Sequence, residues 1–594
     1  MRINQNPITL SDLKLPRYAP TTPKGFHKRE VVGFDTETLN GYCRLITDST
    51  GRSLYADSLD PILRFLTFKS YRTALNVFFN IRYDFQAIIK YLPREQLEEL
   101  HQDGETKTGR YRLKYIPKKL FNITVDKHTY TFYDIAQFYH TSLENVGHKY
   151  LGLEKYINEI DRVRLGTEAD YWNGKQSKIA QYCINDSLIT QRAGKLLQDS
   201  VRDIIGMYPK RWTSQATISK YYFRYYSDIP RIHKIPKAVL NMALKSYSGG
   251  RFETIKKGFL PNGYNIDINS AYPFQIQNLA DITKGEWKRI KQPSEKALYG
   301  FYAAKVHVPL IPIAPLPFRS ISGLIVYPVG DFITHLTRKE YLAYRDLIDI
   351  NILYGVEFYP SEIVKPFMGA INKVYAYKKE TPKEDFRYSV SKIIMNALYG
   401  SFYEKHPTPK RLQAGILFNP IYASIITANT RVQLYEAIKG YEDKIISFAT
   451  DGILLEEKPN IPYSRELGAW DIEPEADITI IKTGVYRYGN KSRSRGVKRI
   501  GKVKTPYGNY DSLWDYIEAQ PTLKTYPIKS NRPIQLGEVL AFTKTFSPED
   551  LNRFKDRIYN IDINKDSKRV WLDTFKSGSE VFKRVIGSLP ITLD

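Results

Sequence analysis

Cysteine is nearly absent from this chain of 594 residues: Cys43 and Cys183 are the whole supply. Two thiols build neither a disulfide framework nor a four-thiolate zinc site, and their scarcity predicts a reducing compartment, the cytoplasm. Long apolar runs are missing as well. No stretch of about 18 apolar residues occurs, and the opening MRINQNPITLSDLKLPRY lacks the apolar core of a signal peptide, so no membrane partner is expected. No internal repeat or low-complexity block interrupts the chain. Acidic residues are in deficit, with 63 Asp and Glu against 88 Lys and Arg, a formal net charge of +25, and 46 Tyr and 28 Phe are interleaved with the basic residues. Basic surface with stacking platforms suits a polyanion, nucleic acid first. A basic soluble or ribosome-associated protein would carry the same charge, so charge supports that reading without specifying it.

The length predicts roughly three to five domains at about 100 to 200 residues each. Residues 1–29 are polar, basic and aperiodic, as expected of a basic N-terminal tail or an arm hugging an edge. From Glu30 the pattern turns α/β: strands at VVGF, LNVFF and TYTFYDI, helices at FQAIIKYL and KIAQYCINDSLITQRAGKLLQD. After Tyr208 come an aromatic helical connector, SKYYFRYYS, a Gly-Gly turn in SYSGGRFE, and a second α/β region.

Two acidic constellations stand out. In GFDTETLNG, Asp35 and Glu37 lie two apart on a predicted strand and emerge from one face, able to share a metal ion. Asp84, in the Asn80-Ile-Arg-Tyr83-Asp84 run, falls in the first turn of a helix, while Tyr182 and Asp186 lie four apart on one helical face. Each fragment alone is usually a solvated edge or surface turn. Together, four carboxylates and a phenol suit metal-assisted hydrolysis of a phosphodiester, with Tyr182 helping to activate water.

The second constellation is an ordered triple. YNIDINSAYPF reads as a strand delivering Asp267 to its end, and SFATDGILLEE as strand, tight turn and strand with Asp451 at the tip. Between them, in RYSVSKIIMNALYG, Lys392, Asn396 and Tyr399 share one side of a helix, leaving Val390, Ile394 and Ala397 for a core. Two carboxylates on neighbouring strands can hold a pair of Mg2+ ions while a basic helix grips a triphosphate, which predicts nucleotidyl transfer.

The order D-x-E, N-x-x-Y-D, Y-x-x-x-D resembles the proofreading 3'-5' exonuclease of family B DNA polymerases, and with the second triple the chain resembles the protein-primed branch of small phages and linear plasmids over roughly Glu30 to Tyr488. The implied fold is multidomain, α/β and α+β: an RNase H-like exonuclease followed by a right-hand polymerase. On that resemblance residues 30–205 are the exonuclease, 206–260 a connector with the Y-x-G-G loop, 261–365 and 406–503 the palm, 366–405 the fingers, and 504–594 the thumb and C-terminal region. It implies Asp35, Glu37, Asp84 and Asp186 as metal ligands of one site and Asp267 and Asp451 of the other, two Mg2+ per site with Mn2+ as the alternative. The incoming dNTP would meet the Ile268 carbonyl, Tyr272, Lys378, Lys392, Asn396 and Tyr399, with Tyr272 excluding a 2'-hydroxyl. DNA would meet Asn80, Tyr83, Ser142 and Leu143 in the exonuclease, and Tyr247, Gly249, Gly250 and Tyr486 in the polymerase. The implied partners are template-primer DNA, dNTPs, a separate terminal (priming) protein and a single-strand DNA-binding protein, in the cytoplasm of a host cell if the chain is viral.

The chain departs from the family pattern in three places. Ala449 stands where a first aspartate is usual, Gly484 replaces the lysine of K-x-Y although Lys482 lies nearby, and the stretch from Ser401 to about Phe418 is short for the insertion tied to strand displacement. Weaker strand displacement is therefore expected. Primer-independent initiation, a nuclease with a degenerate polymerase half, a ribonucleotide polymerase and a noncatalytic DNA-binding protein are the competing readings. Tyr272 speaks against the ribonucleotide enzyme, and six arranged carboxylates in a basic cleft would repel DNA unless cations neutralise them.

Overall fold

The computed structural model describes residues 2–3, 8–16, 21–153, 160–408, 411–495 and 502–593. The first domain is built on an eight-stranded sheet in the order Ser53–Tyr55, Tyr42–Asp48, Val31–Leu39, Leu75–Phe78, His128–Asp134, Leu120–Val125, Tyr111–Ile116, Glu105–Thr108. Val31–Leu39 and His128–Asp134 flank Leu75–Phe78 in parallel, and the remaining pairs are antiparallel. The first four residues of Val31–Leu39 are buried, as a central parallel strand requires, after which buried Thr36 and Thr38 alternate with half-exposed Asp35 and Glu37. Helix Gln176–Ile205 lies directly on this strand. A Cβ at Gly33 would sit 2.2 Å from the Ser187 carbonyl oxygen, so only glycine lets the helix approach closely enough to bring Tyr182 and Asp186 to the acidic end of the strand.

The second α/β region centres on a five-stranded antiparallel sheet in the order Arg251–Thr254, Ile445–Thr450, Gly452–Leu455, Tyr264–Ile268, Trp470–Ile472. Helices Met368–Glu380 and Phe386–Ser401 form a hairpin above it. Val390 and Ile394 of the second helix are buried in the largest core, while Lys392 and Asn396 are exposed. That core also holds Val31, Leu75 and Val77 from the first domain, and Tyr139 stacks on Phe386 at 4.3 Å, so the two halves share one apolar interior.

The C-terminal region is not a detached lobe. Its Val585–Leu589 strand pairs with Lys256–Leu260 of the second region. The segment holding Ile534, Leu536, Val539 and Leu551 is buried in the first domain's core. Long strands Thr525–Pro533 and Phe554–Asp562 pair beside it. Near the N-terminus, Arg2–Ile3 pairs with Val329–Thr337 and Leu13–Lys14 with Leu412–Ala414. Among the described residues no helix is long and apolar enough to cross a membrane.

Candidate active sites

The first acidic group lines a cavity of about 870 Å3. Asp35, Glu37, Asn80, Tyr83, Asp84, Tyr182 and Asp186 all contribute to its wall. Ligand atoms of Asp35, Glu37 and Cys183 lie within 4.8 Å of one another, the tight group among the described residues, while Asp84 and Asp186 stand further round the same wall. Thr36 Oγ1 donates to Asp84 Oδ1 at 2.7 Å, and the Thr38 and Tyr83 hydroxyls share a hydrogen bond at 2.6 Å. Burial lifts the Asp84 carboxyl to about 7 against that Thr36 bond, and nearby Asp134 adds to the rise. Asn80 takes a left-handed conformation (φ 69°), one that asparagine tolerates better than most residues, and its N–H donates to Asp134 Oδ1 at 3.0 Å. This turn directs the helix carrying Tyr83 and Asp84 into the cavity.

Sequence reasoning missed four contributors. Cys183 Sγ lies 3.7 Å from Asp35 Oδ2, and Asp134 is buried beside Asp84. Arg162 lines the cavity and hydrogen-bonds Tyr182; burial opposes its charge, but Tyr182 and Asp186 hold its pKa above the ordinary value. Asn552 donates from Nδ2 to the carbonyls of Tyr83 at 3.2 Å and Gly41 at 3.4 Å, and accepts from Gln86, so the distant C-terminal region roofs the cavity together with Arg553 and Phe554. Only the adjacent Tyr182–Asp186 helix motif gave any signal for Cys183, and nothing local marks Asn552. Ser142 caps the short helix Leu143–Val146 by accepting from the Asn145 N–H at 3.2 Å. Neither Ser142 nor Leu143 lines this cavity.

The second group forms at the end of the five-stranded sheet. Asp267 pairs in register with Gly452 on one side and Asp471 on the other, and the Ile268 N–H donates to the Asp451 carbonyl at 2.9 Å. A Cβ at Gly452 would meet Asp267 Oδ1 at 3.0 Å, so the glycine leaves room for the carboxylate. Burial raises the Asp267 carboxyl to about 7, Asp451 and Asp471 push it further, and Lys392 opposes them. Burial likewise raises Asp451, with Lys392 again opposing. The triple read from sequence is therefore one electrostatic unit. Lys378 Nζ donates to Ser270 Oγ at 3.3 Å, and its pKa is lowered first by burial and then by Lys392 and Lys383, so the two helices bring their ammonium groups near one another. Ala449 occupies the same row across the sheet as Gly452, Asp267 and Asp471, where its methyl adds no charge.

Around these acids the aromatic side chains form a chain. The Tyr272 and Tyr399 rings lie 4.3 Å apart, the Tyr399 and Tyr247 hydroxyls share a hydrogen bond at 2.9 Å, and Tyr247 stacks on Tyr403 at 3.7 Å. The loop Tyr247 to Gly250 is fixed by Arg431, which sequence reasoning passed over. Arg431 is buried, pairs with buried Glu340 at 2.6 Å, and donates to the carbonyls of Ser248 and Gly249 at 2.8 and 2.7 Å. A lone buried carboxylate would be costly, but Glu340 is also tied to the Thr337 N–H and hydroxyl. Tyr486 is half-buried in a hairpin whose turn residue, Gly484, has φ 79°, a conformation a lysine there would find strained.

An eight-stranded sheet domain with an acidic cavity is thus joined through a shared core to a second α/β region with an acidic centre of its own. Residues 154–410 match the family model of DNA polymerase type B, organellar and viral. It is 30% identical over 188 residues to the probable DNA polymerase of Neurospora intermedia, covering 29% of this chain and 19% of that protein. To the DNA polymerase of Acidianus bottle-shaped virus it is 24% identical over 353 residues, covering 53% of this chain and 51% of the other. The chain thus spans about half or less of the length of these curated relatives. Phi29 DNA polymerase complexed with primer-template DNA and incoming nucleotide superposes with a TM-score of 0.64 at 15% identity, covering 90% of this chain and 100% of that one.

Proposed function

We propose that this chain is a DNA-directed DNA polymerase with a 3'-5' exonuclease, acting on template-primer DNA and dNTPs. The observation that carries the reading is the meeting of Asp267 and Asp451 at the end of one sheet, both under the influence of Lys392. Hard oxygen ligands held close against their own repulsion suit divalent cations such as Mg2+ or Mn2+, which when bound would supply Lewis-acid stabilisation of the transferring phosphoryl group. Asp267 and Asp451 would hold them here, with the Ile268 carbonyl beside them. Asp35, Glu37, Asp84 and Asp186 would do so in the exonuclease cavity.

The remaining work falls to the chain's own groups. Lys392 and Lys378 offer two positive charges to a triphosphate, and each is relieved of the other's repulsion when the anion arrives. Tyr272, packed on Tyr399, would lie under the sugar and exclude a 2'-hydroxyl. Asn396 and Tyr399 border the nascent base pair. The loop Tyr247 to Gly250 is held by Arg431 and suits contact with template phosphates. In the exonuclease, Tyr182 orients the attacking water while Arg162 holds the phenol in place. Initiation on the hydroxyl of a separate terminal protein completes the reading, with a single-strand DNA-binding protein covering the displaced strand.

Primer extension tests it. Asp267→Ala and Asp451→Ala should each abolish extension while sparing degradation of single strands, and Asp35→Ala with Glu37→Ala should do the reverse. Extension that survives either palm substitution overturns the assignment.

A further inference from the structure

The N-terminal arm runs over both halves of the molecule, making contacts at intervals. Arg2–Ile3 pairs with Val329–Thr337, the Leu10 N–H donates to Asn241 Oδ1 at 3.3 Å, and Leu13–Lys14 pairs in parallel with Leu412–Ala414. Further on, Arg224 Nε donates to the Thr21 carbonyl at 2.8 Å, Phe26 bridges to Tyr208, and Lys28 pairs with Asp199 at 2.8 Å. The central contact changes what the following segment can be. Lys405–His406 and Leu412–Ala414 form a hairpin of two and three residues, and a two-stranded ribbon that short is barely stable alone in water. The arm adds the third strand, and buried Leu13 anchors it in the main core.

This hairpin carries the far end of the aromatic chain. Lys405 Nζ lies 3.7 Å over the Tyr403 ring, which stacks on Tyr247 of the loop. Arg319 is close enough to act on both Lys405 and Tyr247, and burial together with that guanidinium holds the Lys405 ammonium down at about 8. Among the described residues no carboxylate pairs with Lys405. Its neighbour Glu404 is occupied by Lys220 at 2.7 Å and reaches His406 at 3.5 Å. Lys405 over the Tyr403 ring, with the Arg319 guanidinium acting on it, concentrates positive charge beside stacked aromatic side chains, as a polyanion that carries bases requires.

We propose that the arm is a strap whose Leu13–Lys14 strand orders the Lys405–His406/Leu412–Ala414 hairpin into a wall, on which Lys405, Arg319 and the Tyr247–Tyr403 stack hold the single-stranded template ahead of the primer end. This rests on the reading of the chain as a polymerase. The wall supplies from a distant segment what the short stretch after Ser401 cannot build alone.

The test is binding in EDTA, where neither site turns over, followed by fluorescence anisotropy on primer-templates with long and very short 5' overhangs. The full chain should bind the long overhang the more tightly. Lys405→Ala should remove about tenfold of that gain and flatten the salt dependence by about 0.7 in log–log slope, the signature of one lost single-strand phosphate contact. Leu13→Asp should lose at least as much of the gain, and the double variant should lose no more than Leu13→Asp alone. A gain that Lys405→Ala leaves intact overturns the proposal, as does a Leu13→Asp protein that weakens on both overhangs equally. Lys405→Ala truncates one half-buried side chain outside the apolar cores and carries the test even if Leu13→Asp fails to fold. Failure of the wild type to extend any primer would instead sink the polymerase reading, whereas normal extension with an undiminished overhang gain in both variants would sink the strap alone.

Discussion

Gly250→Ala adds a single methyl, and the structure says what it meets. A Cβ there would lie 2.8 Å from Thr450 Cγ2, 2.9 Å from the Tyr272 hydroxyl and 3.3 Å from Thr450 Cα. Gly250 has no positive φ, so the cost is purely steric. Overpacking of this kind costs about 1–3 kcal/mol where neighbours must move. Neither neighbour can move harmlessly: Thr450 immediately precedes Asp451, and Tyr272 packs on Tyr399. A shift approaching 1 Å at a reacting group lowers a rate by about 100-fold. Gly249 provides the control, because a Cβ there meets nothing within 4 Å. Single-turnover primer extension should therefore fall about 100-fold for Gly250→Ala and stay within about threefold for Gly249→Ala, with single-strand degradation unchanged in both. Wild-type extension by Gly250→Ala, or equal damage from the two substitutions, would refute the packing argument.

Burial raises the Asp84 carboxyl to about 7 from an ordinary 3.8, so the stability its neutral form contributes is complete below about pH 4 and is lost as pH rises through 7. In EDTA, Asp84→Asn should raise the melting temperature at pH 8 and leave it little changed at pH 4; a lower melting temperature at pH 8 counts against this. Asn552→Ala removes bonds to Gly41, Tyr83 and Gln86 from a buried site, and should cost about 1–3 kcal/mol and slow degradation of single strands while primer extension survives. Asp471 adds to the rise of the Asp267 carboxyl that burial begins, so Asp471→Asn should move the acid limb of extension to lower pH; an unmoved limb speaks against that coupling. Tyr272→Val should relax discrimination against ribonucleotides, and unchanged selectivity in competition assays would assign the gate elsewhere.

What could be read from the sequence was what depends on short spacing. The alternation that puts Asp35 and Glu37 on one face, and the four-residue step joining Lys392 to Asn396, follow from strand and helix periods alone. The strand-turn-strand at Asp451 was equally legible, with Ile445–Thr450 and Gly452–Leu455 meeting at that residue. Long-range register was not. Nothing local says that Asp471 lies opposite Asp267, that Arg431 reaches the Ser248 carbonyl 183 residues away, or that Asn552 closes a cavity begun at Asp35. The arm shows the same limit: Leu13–Lys14 has no strand period of its own, and its pairing is set by a hairpin nearly 400 residues later.

Backbone strain and charge repulsion gather at the same places. Asn80, Ser270 and Thr450 all have positive φ (69°, 53° and 68°), and each stands within four residues of Asp84, Asp267 or Asp451. Such conformations cost about 1–3 kcal/mol each where a side chain must adopt them, and for β-branched Thr450 the conformation is a true outlier. Glycine would adopt them freely, so the side chains at these positions matter. Ser270 Oγ accepts from Lys378, the Asn80 N–H is fixed by Asp134, and the Thr450 methyl closes against Gly250. The strained turns end strands abruptly, so that the carboxylates gather where strands of the sheet end. Two unfavourable terms, torsional and electrostatic, are thus held in one place by a large shared core, and a cation entering either site would relieve the electrostatic one while the backbone stays still.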